Sequence, residues 1–518
     1  MASQSLDREE EPADLPASQR DQRIRRPRPG GVGALLLIAT MVGGPAAWSA
    51  TPTAQAPPAP PMGRVLDDIV SQADPSQTYS VFLPSTYRAD RSWPLLLVLD
   101  ARGQGHEAAE LFAAGAEAQG FIILSSDLSR SDDDARPNLR AVAAMLEDAR
   151  RSLAVDPKRL YIAGLSGTAR FAWALAIRGD DALPGMGPVT GVITCSGGLP
   201  DGDPRWKKPT FAAFGTAGLW DFNYSEMLAQ DAVSAEHGVP HRLETFEGGH
   251  RWPPSSVAAE ALEWLRIQAM RSGLETPDAA WLERIWERRR AQARTLEEIG
   301  DHVAALGRYR DLVTDFPDHP GVAELREHIG SLAAEPEVVR RQKLLAKVLE
   351  REKPFRAKVA LATRALKTEN SPDAGKLMQD LGIEDLKRQA AEAGDVEERD
   401  GAKRYLAIVT GQTSFYLPRE LFAKGRYGGA AAALEIALTI RPENPELWYN
   451  LACARARLGQ AEGAIEALRR ARDEGFSDPE LLATDPDLEA VRDEPGFAHL
   501  LERLRTSEPR PGTSLAPL

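Results

Sequence analysis

Two cysteines and eight histidines in 518 residues leave little material for a disulfide scaffold or a metal centre. Neither Cys195 nor Cys453 stands in Cys-x-x-Cys spacing. The first lies in an apolar strand-like run and the second in a helical run, so both are expected as buried free thiols. Net positive charge is lacking as well. The formal charge is −13 and, after residue 140, Lys and Arg are interspersed with acids, which argues against nucleic acid as a partner. Long apolar runs are also missing. The core of VGALLLIATMVGG, from Val32, is about a dozen residues, too short to span a bilayer comfortably as an ordered helix. What the chain does have is 43% hydrophobic residues, enough to bury ordinary cores, and a length suited to roughly two to four domains.

Residues 1–22 are polar and of mixed charge. The basic stretch RIRRPRPGG follows, then the short apolar core, then small residues in PAAWSA. That order is that of a secretory signal, so export to the periplasm or medium is expected, with a retained membrane anchor at 32–43 as the alternative. Arg25-Arg26 lacks the rest of a twin-arginine pattern. Residues 51–63 read as a Pro/Ala linker.

From about residue 78 to 272, β-rich apolar runs alternate with helical stretches. Strands are expected at YSVFLP (79–84), PLLLVLDA (94–101), FIILSSD (121–127), LYIAG (160–164), GVITCSG (191–197), TFAAFG (210–215) and HRLETFE (241–247). The alternation implies a mostly parallel sheet with helices on both faces, whose ligands bind at the carboxyl ends of the strands. After residue 275 the strands stop and helical periodicity takes over.

Ser166 stands at one such strand end, in LYIAGLSGTAR, with FAWALAI after it. Gly-x-Ser recurs at Gly475 and Gly512, but without a preceding apolar strand. A sharp strand-to-helix turn projects a serine hydroxyl above the sheet and tolerates only small neighbours. The local pattern alone fits a serine helix cap equally well. A serine nucleophile needs a base, and the base needs an orienting acid. Of His106, His237, His241 and His250, only His250 lies in a loop immediately after the last strand, in ETFEGGHRWPP, where two glycines give the ring freedom to turn inward. Asp221 in TAGLWDFNYSEM ends the preceding strand, whereas Asp201 and Asp203 in LPDGDP read better as a turn. Trp220 and Trp252, beside Asp221 and His250, are candidates to line a substrate pocket; Trp173, inside the helix after Ser166, reads as core.

DPKRLYIAGLSGTAR, GTAGLWDFNYSEM and FEGGHRWPP, in that order, resemble the signatures of α/β-hydrolases of the polyhydroxybutyrate-depolymerase and feruloyl-esterase-like type. The resemblance covers roughly residues 78–272. It implies an α/β-hydrolase fold with Ser166 as nucleophile, His250 as base and Asp221 as orienting acid. The oxyanion donors it implies are the backbone N–H of Gly167 and that of Ala101 or Arg102, in the loop after PLLLVLD. Thr168 replaces the third glycine of Gly-x-Ser-x-Gly, so helix–strand packing there must admit a branched side chain. DARGQG also departs from the His-Gly-Gly-Gly oxyanion loop of many lipases. Carboxylic esters, aromatic or polymeric, are the implied substrates, with no cofactor and no metal. A serine peptidase using the same triad is one alternative; a catalytically inactive repeat scaffold is another.

In the helical half, WYNLACARARLGQAEGAIEALRRA aligns with a segment 34 residues earlier. Leu451 falls on Leu417, Gly459 on Gly425, Leu468 on Leu434 and Ala471 on Ala437. This resembles the tetratricopeptide repeat and implies a protein or peptide partner. Trp448, Leu451, Leu468 and Ala471 are expected in the core. The expected organisation is a polar N-terminus with signal or anchor (1–50), linker (51–63), hydrolase domain (64–274), helical region partly repeat-like (275–410), repeats with capping helices (411–505) and a loose tail (506–518). On that division, residues up to 274 work on small esters without the repeats; the alternative is that the helices form a lid over the strand ends.

Overall fold

The computed structural model describes residues 61–131, 134–199 and 210–506. The expectations for the signal or anchor, for Asp201 and Asp203, and for the tail beyond Thr506 lie outside those residues. Among the described residues, no helix is long and apolar enough to cross a membrane.

The strands are β1 (Val65–Val70), β2 (Thr78–Phe82), β3 (Trp93–Leu99), β4 (Ile122–Ser126), β5 (Val155–Leu165), β6 (Gly191–Cys195), β7 (Ala212–Gly218) and β8 (His241–Phe246). They form one sheet in the order β1-β2-β4-β3-β5-β6-β7-β8. β2 runs antiparallel to β1 and β4, and every pairing from β4 to β8 is parallel. The parallel strands are covered on both faces, which is why WPLLLVL of β3 is buried throughout and reads as an unbroken apolar run. β1 is the strand absent from the sequence reading. Its VLDDIV carries two aspartates at mid-strand, Asp68 takes φ 53°, and the register shifts between Leu66 and Ile69, so no alternation survives.

Helices α1 (Gly105–Gln119), α2 (Ala135–Ser152), α3 (Gly167–Arg178), α4 (Tyr224–Glu236) and α5 (Ser255–Arg271) complete this body. Phe112 and Ala116 of α1 share a core with Leu262 and Leu265 of α5 and with Ile193 and Phe214 of the sheet. Met145 of α2 and Trp173 of α3 share a second core with Leu97 and Ile162. Trp173 is a core residue, as expected. Cys195 and Cys453 are both free and buried, and burial pushes the Cys195 thiol up to about 12, which keeps it inert.

Beyond it every element is helical. First come α6 (Ala279–Glu298), α7 (His302–Asp315), α8 (Val322–Ala333) and α9 (Pro336–Thr368), then α10 (Ala374–Leu381), α11 (Ile383–Glu392) and α12 (Val396–Gly411). A π-helical turn, Gln412–Tyr416, joins α12 to α13 (Leu417–Ala423), followed by α14 (Tyr427–Ile440), α15 (Pro445–Arg457), α16 (Ala461–Asp473), α17 (Pro479–Thr484) and α18 (Pro495–Thr506). Small residues let α14, α15 and α16 pack closely: Ala430, Ala433, Ala437, Ala452, Ala464 and Ala471 are all buried. Leu451 and Leu468 are buried with them; Trp448 packs half-buried against this core and donates from Nε1 to the Pro442 carbonyl at 2.7 Å.

The two halves share a buried ionic network. Arg242 on β8 donates to Asp315 at 3.0 Å and to Asp311 at 2.8 Å, both on α7. Asp315 also accepts from Arg289 of α6 at 2.7 Å and from Trp264 Nε1 of α5 at 2.8 Å. Arg308 pairs with Glu244 of β8 at 2.8 Å and with Glu260 of α5 at 3.0 Å. Burial pushes the Glu244 carboxyl up to about 7, against the pull of Arg308 and Arg242, and Glu260 and Asp311 add to the rise. A carboxyl raised above its unfolded value of about 4.3 binds protons more tightly when folded, so its contribution to stability falls as pH rises from there to about 7. Glu244→Gln removes that dependence. Its melting temperature relative to the native chain should climb between pH 5 and 7, as thermal scans across that range will read.

Candidate active site

β5 ends at Leu165, and Ser166 takes φ 60°, ψ −122°, a strained backbone for a residue with a side chain, before α3 starts at Gly167. The surroundings make that turn possible. A Cβ on Gly164 would lie 2.4 Å from the Thr168 carbonyl, and one on Gly197 would lie 2.2 Å from the Ser166 oxygen. The Ser166 N–H donates to the Cys195 carbonyl at 2.8 Å, tying the turn to β6.

Thr168, in place of the third glycine, is fully buried and does more than fit. Its hydroxyl accepts from the Leu165 N–H at 2.9 Å and lies 2.6 Å from the Leu99 carbonyl at the end of β3, positioned to donate to it. Thr168→Gly restores the glycine pattern yet should destabilise the fold by about 1–3 kcal/mol in chemical denaturation, because it strips these hydrogen bonds and weakens the start of a helix.

Asp221 follows β7 and is fully buried. Its Oδ1 accepts from the Asn223 N–H at 2.8 Å and faces His250 Nδ1 at 2.9 Å, whereas Oδ2 is buried without a partner. With the Nδ1 proton directed at Asp221, the neutral ring carries its lone pair on Nε2. The two loops meet because Gly218 has no side chain: a Cβ there would lie 2.2 Å from the Gly248 oxygen. Close approach, not a left-handed backbone, is therefore what the Gly248–Gly249 pair supplies, since neither has positive φ. Phe222 stacks on the His250 ring, centroids 4.1 Å apart and planes at 23°. Among the described residues, Ser166 Oγ makes no hydrogen bond and His250 engages through Nδ1 alone. Ser166, Asp221 and His250 thus follow the carboxyl ends of three parallel strands, β5, β7 and β8, at the same end of the sheet. His106 is exposed on α1, His237 caps α4, and His241 turns its Nδ1 to the Val239 carbonyl.

The Gly167 N–H donates to Ser131 Oγ at 2.9 Å. Of the two other donors considered, the Arg102 N–H is taken up by Asp100 Oδ1 at 2.7 Å, which leaves the Ala101 N–H. Asp100, nearly fully buried, also accepts from the Gln104 N–H at 3.1 Å and from Trp252 Nε1 at 2.6 Å. That last bond ties the His250 loop to the end of β3 and holds Trp252 edge-on to Phe112. Trp220 packs near Gly249, and the Lys403 ammonium of α12 lies 4.3 Å from its ring centroid.

Sequence reasoning missed three sets of residues here: Asp100, Ser131, and the α9 and α12 side chains that meet the Asp221 loop. Asp100 carried one signal, a lone acid ending an apolar strand. The others carried none. Among the described residues, no group of three or more His, Cys, Asp or Glu side chains is placed to hold a metal ion.

Residues 421–484 match a family model described as tetratricopeptide repeat. Over 86 residues the chain is 33% identical to a chloroplastic protein of Arabidopsis thaliana; the match covers 16% of this chain and 26% of that protein. The chain thus spans about a quarter of the length of that curated relative. Among solved structures it is similar to a fluorophosphonate-binding serine hydrolase of Staphylococcus aureus, at 13% identity and TM-score 0.31, over 36% of this chain and 92% of that one. It is also similar to a hyperthermophilic esterase of Pyrobaculum calidifontis, at 13% identity and TM-score 0.32, over 40% and 87% of the two chains. A ferulic acid esterase aligns at 19% identity and TM-score 0.31, over 39% and 97%. Strand order, parallel pairing and the turn at Ser166 make the first half an α/β-hydrolase fold, and the all-helical half that follows carries tetratricopeptide repeats.

Proposed function

We propose that this protein is a serine hydrolase that cleaves carboxylic esters through an acyl-enzyme on Ser166. The observation that carries the reading is the strained Ser166 backbone at a strand-to-helix turn, at the same carboxyl-end side of the sheet as a His250–Asp221 pair 2.9 Å apart. In this reading the Ser166–His250 hydrogen bond closes as substrate binds. His250 Nε2 takes the hydroxyl proton while Ser166 Oγ attacks the ester carbonyl carbon. The carbonyl oxygen becomes an oxyanion held by the Gly167 and Ala101 N–H groups, displacing the Ser131 hydroxyl from the first. Collapse breaks the bond to the alkoxy oxygen, which leaves as an alcohol with the proton from His250. Water, deprotonated by the same ring, then releases the acid and restores Ser166. Asp221 holds the ring in the required tautomer and stabilises the imidazolium.

The repeats serve protein or peptide association in this reading, supported by the family match at 421–484. Export is part of it too, supported by the basic stretch and short apolar core before residue 45. A fluorophosphonate probe tests the chemistry: it should label the native chain and not Ser166→Ala. Equal labelling of both would reject the assignment.

A further inference from the structure

The loop that carries Asp221 is gripped from outside the hydrolase body. Arg404 of α12 donates from Nη1 to the Leu219 carbonyl at 2.7 Å, two residues before Asp221. Arg356 of α9 donates to the Phe222 carbonyl, one residue after it. Glu352 of α9 joins the two, at 3.1 Å from Arg404 Nε and 2.8 Å from Arg356 Nε, and accepts from the Ser225 hydroxyl. Arg404 and Glu352 each have 2% of their side chain exposed. The Arg404 guanidinium also lies 4.5 Å from the ring centroid of Tyr224. On the same side, Gly411 at the end of α12 leaves room for Phe222, whose ring a Cβ there would meet at 3.1 Å, and Phe222 stacks on His250.

Two features make this more than packing. Asp221 Oδ2 has no partner, so only Oδ1 and the loop backbone fix the plane of the carboxylate. The backbone on both sides of it is held by the two arginines. The His250 ring is in turn faced by Phe222, which is wedged against α12. Acid and base are thus both oriented through contacts that begin in the helical half.

We propose that Arg404, Arg356 and Glu352 form a positioning clamp, so that the helical half sets the geometry of the Asp221–His250 pair and hydrolysis requires it. The inference rests on the catalytic reading above. Arg404 acts through the loop and touches no reacting atom; it is a positioning residue.

The test uses the full chain and Arg404→Met, which keeps an apolar volume in a buried site and leaves Glu352 paired with Arg356. Arg404→Lys is the second variant, able to reach the Leu219 carbonyl with a single donor. Turnover of a short-chain aryl ester is measured per active site, counted by fluorophosphonate titration, so that loss of folded protein does not register as loss of rate. The expected result is a fall in kcat of roughly ten- to hundredfold for Arg404→Met with KM held within about twofold, and a smaller fall for Arg404→Lys. In an Asp221→Asn background, Arg404→Met should cost no more than about twofold further, because the group it positions is already compromised. Unchanged kcat per site in both Arg404 variants would overturn the clamp. So would an equal loss with and without Asp221→Asn. Neither result touches the catalytic reading, which fails separately if Ser166→Ala still hydrolyses the ester.

Discussion

Replacing Ser166 by alanine should lower kcat for a short-chain aryl ester by roughly 10⁴-fold or more, and His250→Ala should do nearly the same. The double variant should be little worse than either single one, because nucleophile and base act as a unit: without the hydroxyl there is no proton for the imidazole to take. Asp221→Asn is expected to cost similarly or somewhat less. Its amide can present N–H to Nδ1 and so favour the tautomer with the proton on Nε2, the wrong nitrogen for a base. The buried, partnerless Oδ2 sharpens this, since an amide group at that position leaves an unsatisfied polar atom in either orientation. Steady-state kinetics on the four variants decide the matter, and full activity in Ser166→Ala would sink the mechanism.

Ending the chain at residue 274 should abolish cooperative folding of the hydrolase body. The sequence invited the opposite expectation, a hydrolase separable from its repeats. The physical reason for the change is the ionic network. Without α6 and α7, Arg242, 4% exposed at its side chain, loses Asp311 and Asp315 and keeps only Glu244 at 3.8 Å. Glu263 loses Arg288 and Arg289, and Trp264 Nε1 loses its acceptor. Water takes the partners' place, so each lost pair costs less than the ~3–5 kcal/mol of a charge left unpaired in a buried site. The apolar face of α5 that packs on α6 and α7, Ile267 included, is exposed at the same time, and the combined loss is large against a whole-domain stability of about 5–15 kcal/mol. Near-ultraviolet circular dichroism and a thermal melt of the shortened chain should show no cooperative transition, with small-ester turnover lost. A sharp melt with full turnover would restore the separable view.

Much of this fold is legible in the sequence because burial on both faces writes itself into composition. PLLLVLD and GVITC admit few readings, and a serine between LYIA and FAWALAI marks a turn that needs small neighbours. What stayed hidden depends on groups whose identity says nothing about where they go. VLDDIV does not look like a strand because its ladder bonds, not its side chains, hold it at the edge. Thr168 looked like a departure from a pattern, and only the structure reveals the hydrogen bonds that replace the glycine. Arg404 sits in a charged helical stretch, VEERDGAKRYLAIV, where every arginine looks solvated; its burial is decided by what α12 packs against.

The bond from Arg404 to the Leu219 carbonyl spans 185 positions of the chain. A ribosome adding about 5–20 residues per second takes roughly ten to forty seconds to cover that distance. Early in that interval β8 completes the strands of the body, but the loop after β7 must wait for α9 and then α12, and Arg242 waits for α7. Contacts this far apart also make the last stage of refolding slow, since a long loop must close before they form. Chain order therefore works as a timer, with the sheet synthesised first and its acid-bearing loop locked last.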